Sequence, residues 1–228
     1  MEAVEPRTGD YLDLTATIAA SLFDVAGYPW LALGRIDAFV AALLAEPPAG
    51  YRRLSEKVLA GEGCSISPRA EIIGPAIIGP GAEIRTGAFI RENVVIGAAC
   101  VVGNSSEIKN SILFDGAQAP HFNYVGDSIL GRKAHLGAGV ILSNFKFAGG
   151  EVSVRPATGA AIATGLVKFG AIVGDDAELG CNSVCFPGAL VGRGALVYPL
   201  CRVRGTLPAG CIQKAEGIFE RKSSRKPF

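Results

Sequence analysis

The sequence predicts an all-β protein, wound as a triangular parallel β-helix, on three observations. From Cys64 onward an aliphatic residue recurs at every sixth position; a small or compact residue follows each by four; and the same register returns from Val173. The aliphatic series is Ile66, Ile72, Ile78, Ile84, Ile90, Ile96, Val102 and Ile108, and the small one is Ala70, Ala76, Ala82, Ala88, Val94, Cys100 and Ser106. The second run has Val173, Leu179, Cys185, Val191, Val197 and Val203 with Ala177, Ser183, Ala189, Ala195 and Cys201. A six-residue period matches neither the 3.6 of an α-helix nor the alternation of a flat strand. It matches a short strand plus a corner, with three hexads making one coil of 18 residues.

The repeat bounds a domain over residues 63–212, preceded by a helical segment at 1–62 and followed by a basic tail at 213–228. Two short helices are expected in the first segment, from Leu12, Ile18, Leu22 and Phe23 and from Ile36, Phe39, Val40, Leu43 and Leu44. Pro29 separates them, and Pro47-Pro48 ends the second. Their apolar faces need something to cover, which points to docking on the main domain or on a second subunit. An alternating stretch, Glu151 to Arg155, reads as one arm of a hairpin in an inserted loop around 146–167.

The formal net charge of +1 over 228 residues gives no reason to expect nucleic acid or a membrane surface as partner. Gly, Pro or a charge breaks every apolar run before a membrane span is reached. The N-terminus lacks a secretory pattern, so a cytoplasmic location is expected. Six cysteines follow no secreted framework. Cys64, Cys100 and Cys201 fall in the small inward class and Cys185 in the aliphatic one, whereas Cys181 falls in neither and is expected to be exposed.

Two features interrupt this regularity. Arg91 and Lys109 are 18 residues apart, so they stack on one corner at the strand spacing of about 4.8 Å. Like charges that close repel unless an anion lies between them, and a phosphate suits the pair; solvated cations paired with Glu92 and Glu107 are the other reading. After Ile108 the next inward residue is Leu113, only five on, and residues 119–127 then run Ala-Pro-His-Phe-Asn-Tyr-Val-Gly-Asp. This interruption, holding one of the chain's two histidines, reads as the working part.

The runs GNSSEIKNSIL, APHFNYVGD, LGAG, SNFKF and KFGAIVGDD resemble those of the hexapeptide-repeat, left-handed β-helix acyltransferases. Within that family they are similar to the acetyltransferase domain of glucosamine-1-phosphate acetyltransferases and their archaeal sugar-1-phosphate relatives. The resemblance implies an acetyl-CoA-dependent N-acetyltransferase acting on an amino-sugar 1-phosphate, with acetyl-CoA as co-substrate, no metal, and intersubunit sites in a homotrimer. It implies His121 as general base, which suits a side chain that titrates near neutrality, with Asn144 also catalytic. Arg91, Lys109, Tyr124, His135 and Lys168 are placed on the substrate, His135 standing where bacterial enzymes have Asn. Phe145, Cys181 and Pro199 are placed on the acetyl-CoA side, with the Phe145 amide facing the oxyanion.

Nothing in residues 1–63 resembles the nucleotide loop of the bifunctional relatives, so a free-standing transferase domain is expected. Arg221, Lys222 or Arg225 of the basic tail could reach CoA phosphates; a solvated terminus is the other reading. Two alternatives come from other classes. One is a noncatalytic sugar-phosphate-binding or scaffold paralogue. The other is a metalloenzyme like the gamma-class carbonic anhydrases, using His121 and His135 across a subunit interface, although such sites take three histidines per metal.

Overall fold

Six residues per side give room for a strand of two or three residues and a corner, and the chain closes on itself after three sides. The computed structural model describes residues 5–222 and shows a left-handed β-helix of this kind. Its first face has nine strands, from Tyr51–Ser55 to Thr206–Leu207; the second has seven, from Glu71–Ile72 to Arg202–Val203; the third has nine, from Ser65–Ile66 to Ile218–Arg221. Pairing between coils is parallel. Among the described strands of these three faces, only the terminal ones, Tyr51–Ser55 and Ile218–Arg221, fold back antiparallel, occupying edges that would otherwise present unpaired backbone.

The interior is filled as the repeat predicts. Ile78, Ile90, Ile96, Val102 and Ile108 have no exposed surface, while Ile66 and Ile72 at the first coil are partly covered. Cys100, Cys185, Cys201 and Cys211 are buried free thiols, Cys64 is half-buried and Cys181 is exposed. Burial pushes the Cys100 and Cys185 thiols up to about 12.

The interruption at 119–127 turns out to be regular coil. Ala119 and Val125 point inward with no exposed surface, and Ile108 pairs with Val125, then Val125 with Leu142. The residue lost from the period is lost elsewhere, at the corner between the second and first faces. There Ile96 pairs with Leu113 and Leu113 with Leu130, so these coils hold 17 residues instead of 18. One coil is lengthened by the insert, since Leu142 pairs with Cys185, and within it Ser153–Val154 pairs antiparallel with Ile162–Ala163 as the alternation predicts.

The N-terminal segment departs from two regular helices. Only Ile36–Ala45 is a sustained helix; before it the chain makes a four-residue turn at Thr8–Tyr11 and three 3-10 stretches. Asp13 accepts from the Thr15 amide and hydroxyl, and Thr17 accepts from the Ala19 amide, so side chains there compete with helical hydrogen bonds. The β-helix also starts earlier than residue 63, because Val58–Gly61 already pairs with Ala76–Ile78. It runs past 212 as well: the first described part of the expected tail is the hairpin Cys211–Ala215 with Ile218–Arg221. Residues 223–228, Arg225 among them, lie outside the described residues.

The segment docks on the main domain. Trp30, Leu33, Ile36 and Val40 pack on Leu59, Ile77, Val95, Ile112, Ile129, Ile172 and Leu190, the outward residues of the first face. That face is therefore apolar on both sides. Among the described residues no helix is long and apolar enough to cross a membrane.

Gly103 permits the close approach of the strand Gln118–His121: a Cβ there would lie 1.6 Å from the Pro120 carbonyl oxygen. Gly103→Ala is expected to cost roughly 1–3 kcal/mol in urea denaturation, whereas Gly34→Ala, which meets nothing, leaves the midpoint nearly unchanged. With a thiol reagent on the native protein, Cys181 is expected to supply the fast phase, which Cys181→Ser abolishes.

Candidate active site

Strand pairing sets the site, since it fixes which side chains share a corner. Ile90 pairs with Ile108, and the Arg91 amide donates to the Ile108 carbonyl at 2.9 Å, so Arg91 and Lys109 stack at the exit from the second face. One residue on, the same corner carries Glu92, Asn110, Asp127 and Asn144. Asp127 is the centre of that column. Its Oδ1 accepts from Asn110 Nδ2 at 2.8 Å, and its Oδ2 accepts from Asn144 Nδ2 at 2.5 Å. The same Oδ2 lies 3.8 Å from Lys109 Nζ. Asn144 Nδ2 also reaches the Tyr124 hydroxyl at 3.2 Å. Asp127 is only 5% exposed and holds a left-handed φ of 47°, which Asp tolerates better than most residues.

Arg91, Lys109, Tyr124, Asn144, Phe145 and Lys168 line an open cleft of about 480 Å³ at this corner. The two cations are not left to repel each other. Arg91 pairs with Glu107 at 2.9 Å and Glu92 at 3.4 Å, and Glu92 also stands 3.9 Å from Lys109. Glu92 and Glu107 thus supply anions to the pair, as the second of the two readings of the spacing has it. The bond to Glu107, with both acids' charge, raises the Arg91 pKa further. Burial, with the charge on Glu107, raises that of Tyr124 and keeps its hydroxyl protonated. Lys168 is exposed, and among the described residues no ion pair involves it.

His121 is elsewhere on the same coil. It ends the strand Gln118–His121 on the third face, at the corner before the second face, is exposed, and does not line the cleft. Backbone bonds continue its column: the Gly139 amide donates to the His121 carbonyl, that of Asn182 to Ala138, and that of Leu200 to Cys181. His121, Ala138, Cys181 and Pro199 are therefore one corner, with Phe122, Gly139, Asn182 and Leu200 beside them at left-handed φ values of 52°, 74°, 56° and 64°. His135 is apart from both groups, paired on the third face with Gln118 and Glu178. The predicted residues thus form two clusters, with His135 outside.

Four further residues belong to the site. Glu107 and Glu92 were foreseen only as surface partners, and Asp127 was read only as part of a motif. Asn123 was missed as well: it is 2% exposed, turned into the coil where the repeat asks for a small residue. Its Nδ2 donates to the Gly137 carbonyl at 2.8 Å and its Oδ1 accepts the His121 amide at 3.1 Å. It pins the turn that presents His121. A polar residue at an inward hexad position was the available signal. Among the described residues no group of three His, Cys, Asp or Glu side chains gathers at metal-binding distance.

Asp127→Ala removes the shared acceptor of two half-buried side-chain amides, Asn110 and Asn144, and is expected to cost about 1–3 kcal/mol of stability. In a double-mutant cycle with Asn144→Ala the coupling should reach at least about 0.5 kcal/mol; strict additivity would show that the hydrogen-bonded column does not act as a unit.

Residues 72–164 match the family described as the GMPPB C-terminal domain. A bifunctional sugar-1-phosphate nucleotidylyltransferase/acetyltransferase of Sulfurisphaera tokodaii is 33% identical over 153 residues, 59% of this chain and 38% of that protein. The bifunctional protein GlmU of Methanococcus maripaludis is 33% identical over 180 residues, 78% of this chain and 43% of that one. The crystal structure of PerB from Caulobacter crescentus, in complex with CoA and GDP-perosamine, is 20% identical with a TM-score of 0.33, covering 68% of this chain and 52% of the other. The chain spans less than half the length of these curated relatives. Its hexad repeat and its coil make the chain a left-handed β-helix of hexapeptide repeats, and these sequence relatives are, in part, sugar-1-phosphate acetyltransferases.

Proposed function

We propose that the chain transfers an acetyl group from acetyl-CoA to the amine of an amino-sugar 1-phosphate, of the glucosamine-1-phosphate kind. The observation that carries this reading is the cleft where Arg91, Lys109 and Lys168 meet Tyr124 and Asn144. Three cations suit a phosphate, and a phenol with an amide suits sugar hydroxyls. The name of the Sulfurisphaera relative, a sugar-1-phosphate acetyltransferase in part, supports it.

In this reading the amine attacks the thioester carbonyl while His121 takes its proton. The new C–N bond gives a tetrahedral oxyanion, held by the Phe145 amide. The C–S bond then breaks, and the CoA thiolate leaves with the proton from His121. Cys181 and Pro199 share the His121 corner and line the acetyl-CoA side. The width of the second face separates that corner from the cleft, so we place each site between protomers of a homotrimer. Phe122, Tyr198 and Leu200, exposed by 59, 46 and 77% around the His121 corner, are the apolar surface that a neighbour would cover. Dependence on acetyl-CoA implies a cytoplasmic enzyme.

A noncatalytic sugar-phosphate-binding module is the second reading, favoured by one observation: Glu92 and Glu107 already neutralise Arg91. Calorimetric binding of a sugar phosphate without turnover would establish it.

The test is thiol release from acetyl-CoA across a panel of amino-sugar 1-phosphates. His121→Ala is expected to lower kcat by roughly 10²–10⁴-fold with little change in the acceptor KM, and Lys109→Ala to raise that KM. Undiminished kcat in His121→Ala would remove the histidine from the mechanism, and no turnover with any acceptor would remove the substrate class.

A further inference from the structure

The insert builds a second cavity. Val152 and Val154 are fully buried, so strand alternation turns Ser153 and Arg155 outward. The coil has made room for this strand. A Cβ at Gly188, which has a φ of 80°, would lie 2.8 Å from the Ser153 carbonyl oxygen, and one at Gly205 would meet Arg155 at 3.4 Å. The Thr206 hydroxyl donates to the Arg155 carbonyl at 2.7 Å, tying the strand to the last coils. Between strand and coil lies a space of about 170 Å³, lined by Lys146, Ser153, Arg155, Phe186, Gly188 and Arg204 among others.

Its charge differs from that of the first cleft. Three cations line it and no carboxylate does. Among the described residues none of the three forms an ion pair. Lys146 Nζ donates only to the Glu151 carbonyl at 2.8 Å, and the Arg204 guanidinium lies over the Phe186 ring, 5.7 Å from its centre. That stacking fixes the guanidinium plane and leaves its edge donors available. Three uncompensated cations around so small a space are a standing repulsion that a bound anion relieves. Arg204 also continues the Arg91 and Lys109 column, since Leu142 pairs with Cys185 and Cys185 with Val203. The insert leaves the coil between them, so the two cavities flank its root.

We infer that Lys146, Ser153, Arg155 and Arg204 form a second anion site, built by the insert, for a phosphoryl or pyrophosphoryl group. Two arginine forks and a serine hydroxyl offer the donors such a group accepts from. The site stands whether or not the chain transfers acetyl groups.

The test is titration calorimetry of the full chain with inorganic pyrophosphate, carried out in Lys109→Gln so that the first cleft is weakened. Pyrophosphate should bind, and adding Arg155→Gln and Arg204→Gln should weaken it by at least roughly tenfold with the unfolding midpoint retained. Ser153→Asp, a single change at an exposed position, should give a comparable loss by repulsion. Absence of pyrophosphate binding, or affinity untouched by the arginine and serine substitutions, overturns the inference. Competition then assigns the source: displacement by CoA marks an acyl donor's phosphates, displacement by UDP a nucleotide diphosphate, and displacement by neither a free inorganic anion.

Discussion

Everything at the two corners depends on the hydrogen-bonded register between coils. Once Ile108 is paired with Ile90 and with Val125, the neighbours of Lys109 are decided by chain length alone. An 18-residue coil throughout would have stacked Ser128 beneath Asn110. The shorter coil puts Asp127 there, where it accepts from Asn110 and Asn144 at once and faces Lys109. Losing one residue at a corner therefore exchanges a hydroxyl for a buried carboxylate, and the polar side chains Asn110, Asn144 and Lys109 are organised around that carboxylate.

The charges in the first cleft form a balanced set, and the proposed phosphate would have to compete with its internal acids. The Arg91 pairs are about one-third exposed, and ion pairs so exposed contribute about 0–1 kcal/mol. Charge-assisted hydrogen bonds from guanidinium or ammonium to a phosphate contribute roughly 1.5–3 kcal/mol. Glu92, 39% exposed, can swing aside at small cost when a phosphate arrives. Standing 3.4 Å from Arg91 and 3.9 Å from Lys109, it offsets their mutual repulsion and holds the cationic pair in place. The second cavity has no such internal anion.

The scaffold was legible in the sequence, and all six residues lining the first cleft were named from it, two by counting and four through the resemblance. An inward Ile every six residues has one physical explanation, and Arg91 with Lys109 follows from it by counting. The shortened corner was visible as the five-residue step to Leu113, but its effect was credited to the nearby histidine. That misplacement has a simple cause: a missing residue is noticed where the next unusual side chain appears, whereas hydrogen bonding moves the shortfall to the corner that tolerates it. Asn123 and Asp127 were hidden because their roles exist only between coils. The outer apolar row, Ile77, Val95, Ile112, Ile129, Ile172 and Leu190, was in plain sight; with the period read for its inward residues, the neighbouring ones went unweighed.

That outer row explains why the N-terminal segment belongs with the site despite its distance in sequence. A hairpin with two-residue strands such as Ser153–Val154 and Ile162–Ala163 has almost no stability of its own. Its order comes from Val152, Val154 and Phe169, all fully buried in the core that the segment completes over the first face. At roughly 1.5–3 kcal/mol for each fully buried side chain, these three outweigh the few hydrogen bonds within the hairpin. Trp30 lies 5.9 Å from Phe169, ring centre to ring centre, and Phe169 follows Lys168 of the first cleft. Removing the cover over Phe169 would release the insert's root, and with it both Lys168 on one side and Lys146 and Arg155 on the other. The segment acts as a positioning element for two cation-lined clefts that it does not touch.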